Sequence, residues 1–192
     1  MDRLILGLVV FFGVHAISLV ALGWRDRMVE RVGTGAWRRY YSIAAAVGLY
    51  LLISGYGAAR GTDGFLYVTP PAFRYLAALL MLPAFALALA SVFRGRISAR
   101  AKHPLLLATI LWSVAHLLTN GATADVLLFG CFLAWSVAVR ISLEHRPQRP
   151  PIALPASATN DLIVVIGGLA AYVLVAFWLH ARLFGVAPLG GI

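Results

Sequence analysis

Residues 6–24, LGLVVFFGVHAISLVALGW, and residues 103–121, HPLLLATILWSVAHLLTNG, each carry one histidine deep inside a long apolar run. A helix needs about 20 apolar residues to cross roughly 30 Å of hydrocarbon, and both runs approach that length. An ionisable side chain at such a depth is costly and normally faces the protein interior. The rest of the chain agrees. Of its 192 residues, 61% are apolar and 12% charged, with a mean hydropathy of +0.88. Soluble domains are nearer half apolar and a quarter charged, so the composition specifies an all-α integral membrane protein in contact with the lipid bilayer. It reads as one transmembrane domain over residues 1–192.

Working outward, six segments are apolar enough to span: about 4–23, 40–59, 73–93, 104–119, 122–140 and 161–184. The expected architecture is a bundle of six transmembrane helices, with five to seven compatible with the pattern. The fourth and fifth form a tight hairpin, with Asn120-Gly121 making its turn. Pro83 predicts a kink in the third, and Pro70-Pro71 and Pro104 mark helix starts. Asn160 or Asp161 is the expected cap of the sixth. Residues 145–160, HRPQRPPIALPASATN, are proline-rich and polar, an exposed loop on the cytoplasmic side. The run after MDR is too long for a secretory signal core and has no clear small-x-small cleavage site, so it reads as a retained helix.

The net charge of +9 invites a nucleic-acid partner. Its distribution argues against one. Twelve of the 16 basic residues fall in the first, third and fifth connections, leaving Arg3, Arg60, Arg74 and Arg182 on the other side. That asymmetry is a topology signal, placing both termini outside the cytoplasm. The single cysteine, Cys131, can form no intramolecular disulfide and reads as a small buried hydrophobe.

The candidate chemistry lies with His15 and His116. At 1.5 Å per residue, His15 is about 16 Å below the outer end of its helix and His116 about 20 Å above the inner end of its own. An offset of that size is compatible with two imidazoles ligating one haem iron between tilted helices. Thr109, Trp112, Ser113, Thr119 and Asn120 make a polar and aromatic stripe around His116, fit to orient an imidazole. Phe11, Phe12, Ser18 and Leu19 give His15 an apolar wall. Arg60, Arg74 and Arg182 lie near outer span ends, where guanidinium groups can pair with carboxylates such as propionates. The plainer alternative is that both histidines are hydrogen-bonded packing residues. There is no HxxxH, CxxCH or carboxylate cluster, and no GxSxG elbow for a hydrolase. His103 starts the fourth helix at the cytoplasmic face, His145 sits in the arginine-rich loop, and His180 is an interfacial residue and a reserve ligand. The small residues of SGYGAA, 54–59, point to close helix packing.

The runs GLVVFFGVHAISL (7–19), RRYYSIAAAVGLYLLISGY (38–56) and KHPLLLATILWSVAHLLTNGATADVLLFG (102–130) together resemble the NnrU family of membrane proteins. The resemblance covers nearly everything up to about residue 143. It implies a bacterial inner-membrane, multi-pass protein linked to denitrification. It also implies similarity to the 15-cis-zeta-carotene isomerases, which carry haem b and isomerise a polyene under redox gating. In that relative the helix-one histidine and the histidine thirteen residues after His-Pro are the proposed haem ligands, which map onto His15 and His116. The implied cofactor is therefore haem b, and the residue pattern described above adds Trp112, Ser113, Asn120, Arg60 and Arg74 as the residues expected around it. The implied partner is an apolar small molecule or nitric oxide. Lys102 stands where the family usually has arginine before His-Pro, keeping the charge and losing the planar fork. Two other functions follow from the same residues. One is a non-enzymatic assembly or transport factor for denitrification reductases. The other is a membrane methyltransferase using Lys102-His103-Pro104, which the absence of a Tyr-x-Gly after the proline weakens.

Overall fold

The computed structural model describes residues 1–62, 64–145 and 154–189. Among these every regular element is helical: α1 Asp2–Val20, α2 Leu22–Ala59, α3 Phe73–Ala90, α4 Arg96–Ala101, α5 Pro104–Leu117, α6 Thr123–Glu144, α7 Ala158–Leu174, a π-helical turn Val175–Leu179, and α8 His180–Phe184. Five helices are long and apolar enough to cross a membrane: α1, α2, α3, α6 and the continuous Ala158–Phe184 rod. Less than a quarter of each apolar window is buried. The remainder, such as Leu162, Val165, Ile166, Leu169 and Val173 along α7, faces outward. Helices with apolar surfaces on that scale belong in lipid, where their backbone groups are satisfied internally. The chain is a multi-pass helical membrane protein.

Three expectations change in detail. The fourth apolar segment forms only the 14-residue α5, which rises about 21 Å and falls short of the bilayer's roughly 30 Å. The first connection is helical: residues 22–59 run as one 38-residue element, broken only at Gly33 (φ 82°, ψ 154°). Glycine reaches that backbone region at no steric cost, so the arginine-rich half and the apolar half meet at a built-in bend. The cap of α7 is Ser157, whose side chain accepts from the Thr159 amide at 3.2 Å. Asn160 and Asp161 serve the 92–97 turn instead. Asn160 Nδ2 donates to the Arg94 carbonyl at 2.8 Å. Asp161 accepts from the Arg96 and Ile97 amides at 2.9 and 3.0 Å. The helix α3 runs unbroken through Pro83. Of the proline-rich loop, residues 146–153 lie outside the described residues.

The chain divides into two compact units, Met1–Leu66 with Ala122–Cys131, and Tyr67–Gly121 with Phe132–Ile192. In the first, α1 packs along α2 at glycine contacts. A Cβ on Gly7 would meet the Leu52 backbone nitrogen at 2.5 Å, one on Gly48 the Phe11 nitrogen at 2.7 Å, and one on Gly55 the Leu4 backbone. Small residues allow this backbone approach, which supplies dispersion contacts that lipid cannot. Leu4 is fully buried there. The start of α6 joins the same unit through Thr123, whose amide and hydroxyl both donate to the Gly64 carbonyl at 3.0 and 2.9 Å. Asp125, 7% exposed, accepts from the Tyr56 phenol at 2.6 Å.

In the second unit α3 packs against α5 and α7. Buried Ala77, Ala84 and Ala90 give α3 a smooth face, and Gly168 lets α7 approach the Ala86 backbone. The C-terminal end of α5 is closed by Tyr67, whose hydroxyl donates to the carbonyls of Leu117 at 2.5 Å and Asn120 at 3.1 Å. These bonds take up helix-end carbonyls that would otherwise lack partners.

Candidate functional site

His116 occupies the last turn of α5. Its Nδ1 lies 2.8 Å from the Trp112 carbonyl. A carbonyl only accepts, so Nδ1 carries the proton and the lone pair is on Nε2. The Trp112 ring tilts against the imidazole at 5.1 Å and meets Phe132 edge-on at 5.4 Å. The histidine's own carbonyl accepts from the Asn120 side chain at 2.9 Å and from the Asn120 and Thr119 amides. Backbone and ring are thus both held.

A cavity of about 190 Å³ opens beside it, with His116, Asn120, Thr119, Arg74, Tyr172 and His180 supplying its polar groups. Ala77, Ala78, Ala115 and Ala176 form small-residue walls, with Met81 and Phe85 beyond. The rings of His116 and His180 are 6.5 Å apart and inclined by 31°. Local backbone chemistry places His180. The preceding Val175–Leu179 forms one π-helical turn, a distortion common at functional sites. After α8 the chain reverses at Gly185 in the left-handed conformation (φ 69°, ψ 14°), bringing the Val186 carbonyl to 2.7 Å from His180 Nδ1. This bond again puts the lone pair on Nε2. Arg74 stacks over Tyr75 and donates to its hydroxyl at 2.9 Å.

His15 belongs to the first unit, in the same local geometry. Its Nδ1 donates to the Phe11 carbonyl at 2.7 Å, and its ring meets Phe11 at 4.2 Å and Tyr41 at 5.5 Å. A hollow of about 210 Å³ in that unit is lined by Ser18, Arg25, Trp37, Arg38, Tyr41 and Ser42.

The structure therefore brings together His116, Asn120 and Arg74 of the expected set, with Trp112 directly behind His116. Ser113 is fully buried, its hydroxyl has no hydrogen-bond partner among the described residues, and it does not line the cavity. Arg60 caps α2 in the first unit. Among the described residues no group of three or more His, Cys, Asp or Glu side chains is placed to hold a metal ion. Thr119, from the expected stripe, and His180, the expected reserve ligand, both line the cavity, and Tyr172 is an addition. In the sequence His180 was legible only as an interfacial residue near a span end and a reserve ligand.

His103 lies at the start of α5 in a different setting. Ala101 O and His103 N are 2.6 Å apart, bridging Lys102 at φ 59°, ψ −52°. This is a γ-turn with positive φ, the rare and strained form. Burial pushes the His103 imidazole below the ordinary histidine range, Arg140 and Lys102 push the same way, and Glu144 opposes them.

Fold and site define a helical membrane protein with an imidazole-lined cavity among its apolar helices. The profile of the NnrU protein family matches residues 3–188, so the chain belongs to that family. No curated protein and no solved structure matches it significantly.

Proposed function

We propose that this NnrU-family protein binds haem b, with His116 as an iron ligand and His15 as the imidazole that the family resemblance pairs with it. The observation that carries the reading is the state of His116. Its Nδ1–H is tied to the Trp112 carbonyl, and its ring lines a cavity with a second histidine and an arginine. Ligating histidines almost always donate their other N–H in this way, which fixes ring orientation and raises ligand basicity. His15 has the equivalent bond to Phe11. His145, at the end of α6, makes such a bond too, so the bond alone is not diagnostic, and the cavity is what distinguishes His116.

The fit to haem rests on donor chemistry. Neutral imidazoles with a lone pair on Nε2 suit iron, and Arg74 suits a carboxylate. The cavity at about 190 Å³ is below the ~300–1,000 Å³ of ordinary small-molecule sites, so it accommodates the ligating end of such a group and not a whole macrocycle. Bound haem would supply an iron whose ligand set responds to redox state. The activity we assign is accordingly redox-gated chemistry on an apolar small molecule, isomerase-like or directed at nitric oxide and connected to denitrification. The protein's own part is to present His116, exclude water with apolar walls and leave an opening to lipid-soluble molecules. The arginine asymmetry supports an inner-membrane location with both termini periplasmic. The test is haem stoichiometry and the visible spectrum of the purified full chain, compared with His116→Ala and His15→Ala. Loss of haem in both variants supports the reading, and full haem retention in His116→Ala refutes it.

A further inference from the structure

We infer that the hollow of the first unit, between the end of α1 and the two halves of α2, binds the phosphate group of an anionic phospholipid. The inference goes beyond the haem reading and does not depend on it.

The bend at Gly33 builds the site. Arg25 and Arg38 are 13 residues apart, as are Trp24 and Trp37. On a straight helix each pair would be separated by about 20 Å along the axis, at 1.5 Å per residue. The break at Gly33 folds the arginine-rich half back. The two indole rings then meet edge-on with centroids 5.9 Å apart, and both arginines line one hollow of about 210 Å³. Trp37, Tyr41 and Ser42 line it too, adding an indole N–H and two hydroxyls. Arg25 Nη1 holds Asp26 at 2.8 Å. A guanidinium carries five N–H donors, so that bond leaves others for an anion. Arginine pairs with phosphate in the same forked geometry that it offers a carboxylate.

Volume and surroundings point to a lipid. At about 30 Å³ per liquid water, the hollow equals roughly seven waters, room for a phosphate group and the glycerol that carries it. Sites that enclose a whole small molecule are nearer ~300–1,000 Å³, so the rest of the ligand lies outside. An apolar track is present there. Ser42, Ala46, Leu49 and Ile53 follow one another at i, i+4, i+7 and i+11, one face of α2, and all four are exposed. Leu49 is 44% and Ile53 64% exposed, surface that an acyl chain covers and a soluble phosphate compound does not. The tryptophans and Tyr41 mark the level of the membrane interface, and basic pockets at that level suit anionic headgroups.

The test uses the full chain in mild detergent at about 0.15 M salt, where exposed charges farther apart than roughly 8 Å are largely screened. Native mass spectrometry reads the lipid retained from equal mixtures of phosphatidylglycerol and phosphatidylcholine. The variants are Arg25→Gln/Arg38→Gln, Ser42→Trp, which fills the hollow and keeps every arginine, and Arg31→Gln/Arg39→Gln, which removes the same charge outside the hollow. Monodisperse elution is the folding control. The wild type should retain phosphatidylglycerol in preference. The first two variants should weaken that binding roughly tenfold or more, and the third should stay close to wild type. Equal retention of both lipids by the wild type, equal loss in the two arginine pairs, or unchanged binding in Ser42→Trp would overturn the inference. Excess inorganic phosphate separates the sources. Phosphatidylglycerol that stays bound supports the lipid, and its displacement by phosphate at matching concentration makes a soluble phosphate the occupant and overturns it. Haem content is unaffected by any of these outcomes, so the haem reading stands or falls separately.

Discussion

Tyr56→Phe tests the packing of the first unit at a single atom. The phenol donates to Asp125 across 2.6 Å, and Asp125 is 7% exposed. Removing the hydroxyl leaves a buried carboxyl group short of a donor, a loss of about 1–3 kcal/mol. The ring itself remains, edge-on to Phe129 at 6.2 Å, so the substitution isolates the hydrogen bond from the packing. For a chain of this length each kcal/mol moves Tm by roughly 2–4 °C, so the melting temperature should fall by about 2–12 °C. Asp125→Asn should cost less, because the amide oxygen still accepts from Tyr56. The double variant Tyr56→Phe/Asp125→Ala should be less destabilised than the sum of its single changes, as expected for directly coupled residues. Thermal unfolding in mild detergent, followed by circular dichroism, measures all of these. A Tyr56→Phe protein within about 0.5 kcal/mol of wild type, the range of a neutral surface change, would refute the reasoning.

Leu4→Ala removes a fully buried side chain seated against Gly55 and should lower stability by about 2–5 kcal/mol in the same melting assay. Gly48→Val, which forces a side chain into the Phe11 backbone, should cost at least about 1–3 kcal/mol. Lys102→Gly relieves the positive-φ γ-turn before His103 and should leave the protein as stable or more stable, by up to about 1 kcal/mol; a clear drop in Tm would contradict the strain. His103 gives the pH dependence: its folded pKa lies below the unfolded value of 6.5, so the unfolded chain binds its proton more readily. The stability tied to neutral His103 is present above pH 6.5 and is lost as pH falls below 6.5 toward the folded pKa. The Tm difference between pH 7.5 and 5.5 should therefore shrink in His103→Gln, and an unchanged difference would contradict the assignment.

Element type and membrane placement were open to reading from the apolar runs, because 20-residue windows in lipid leave the backbone little choice but helix. Pro104 was a sound helix start for the same local reason. Residues 24–39 were harder. Arginines mark a connection, yet nothing in their charge forbids helix, and the break falls at Gly33, one glycine among 18. The cap of α7 was misassigned because Ser157, Asn160 and Asp161 are all cap formers. Only the three-dimensional proximity of the 92–97 turn draws Asn160 and Asp161 away. Gly55-Tyr56 carried the family resemblance, but the roles of both residues, Leu4 contact and Asp125 donor, need tertiary structure to see. His116 and its neighbours Trp112 and Asn120 were visible as a helical stripe. An aromatic four residues before a histidine, at both Phe11/His15 and Trp112/His116, is the signal that would have strengthened the pair. The place of His180 was not visible, because it depends on a π-helical turn and a chain reversal that span-end composition does not encode.

The most direct test of the central claim is the visible spectrum of the full-length protein from haem-supplied cells, oxidised and then dithionite-reduced, beside His116→Ala. The account predicts a strong Soret band with sharp reduced α and β bands in the wild type, and their loss in the variant. A flat spectrum in the wild type, or an identical one in His116→Ala, would contradict it.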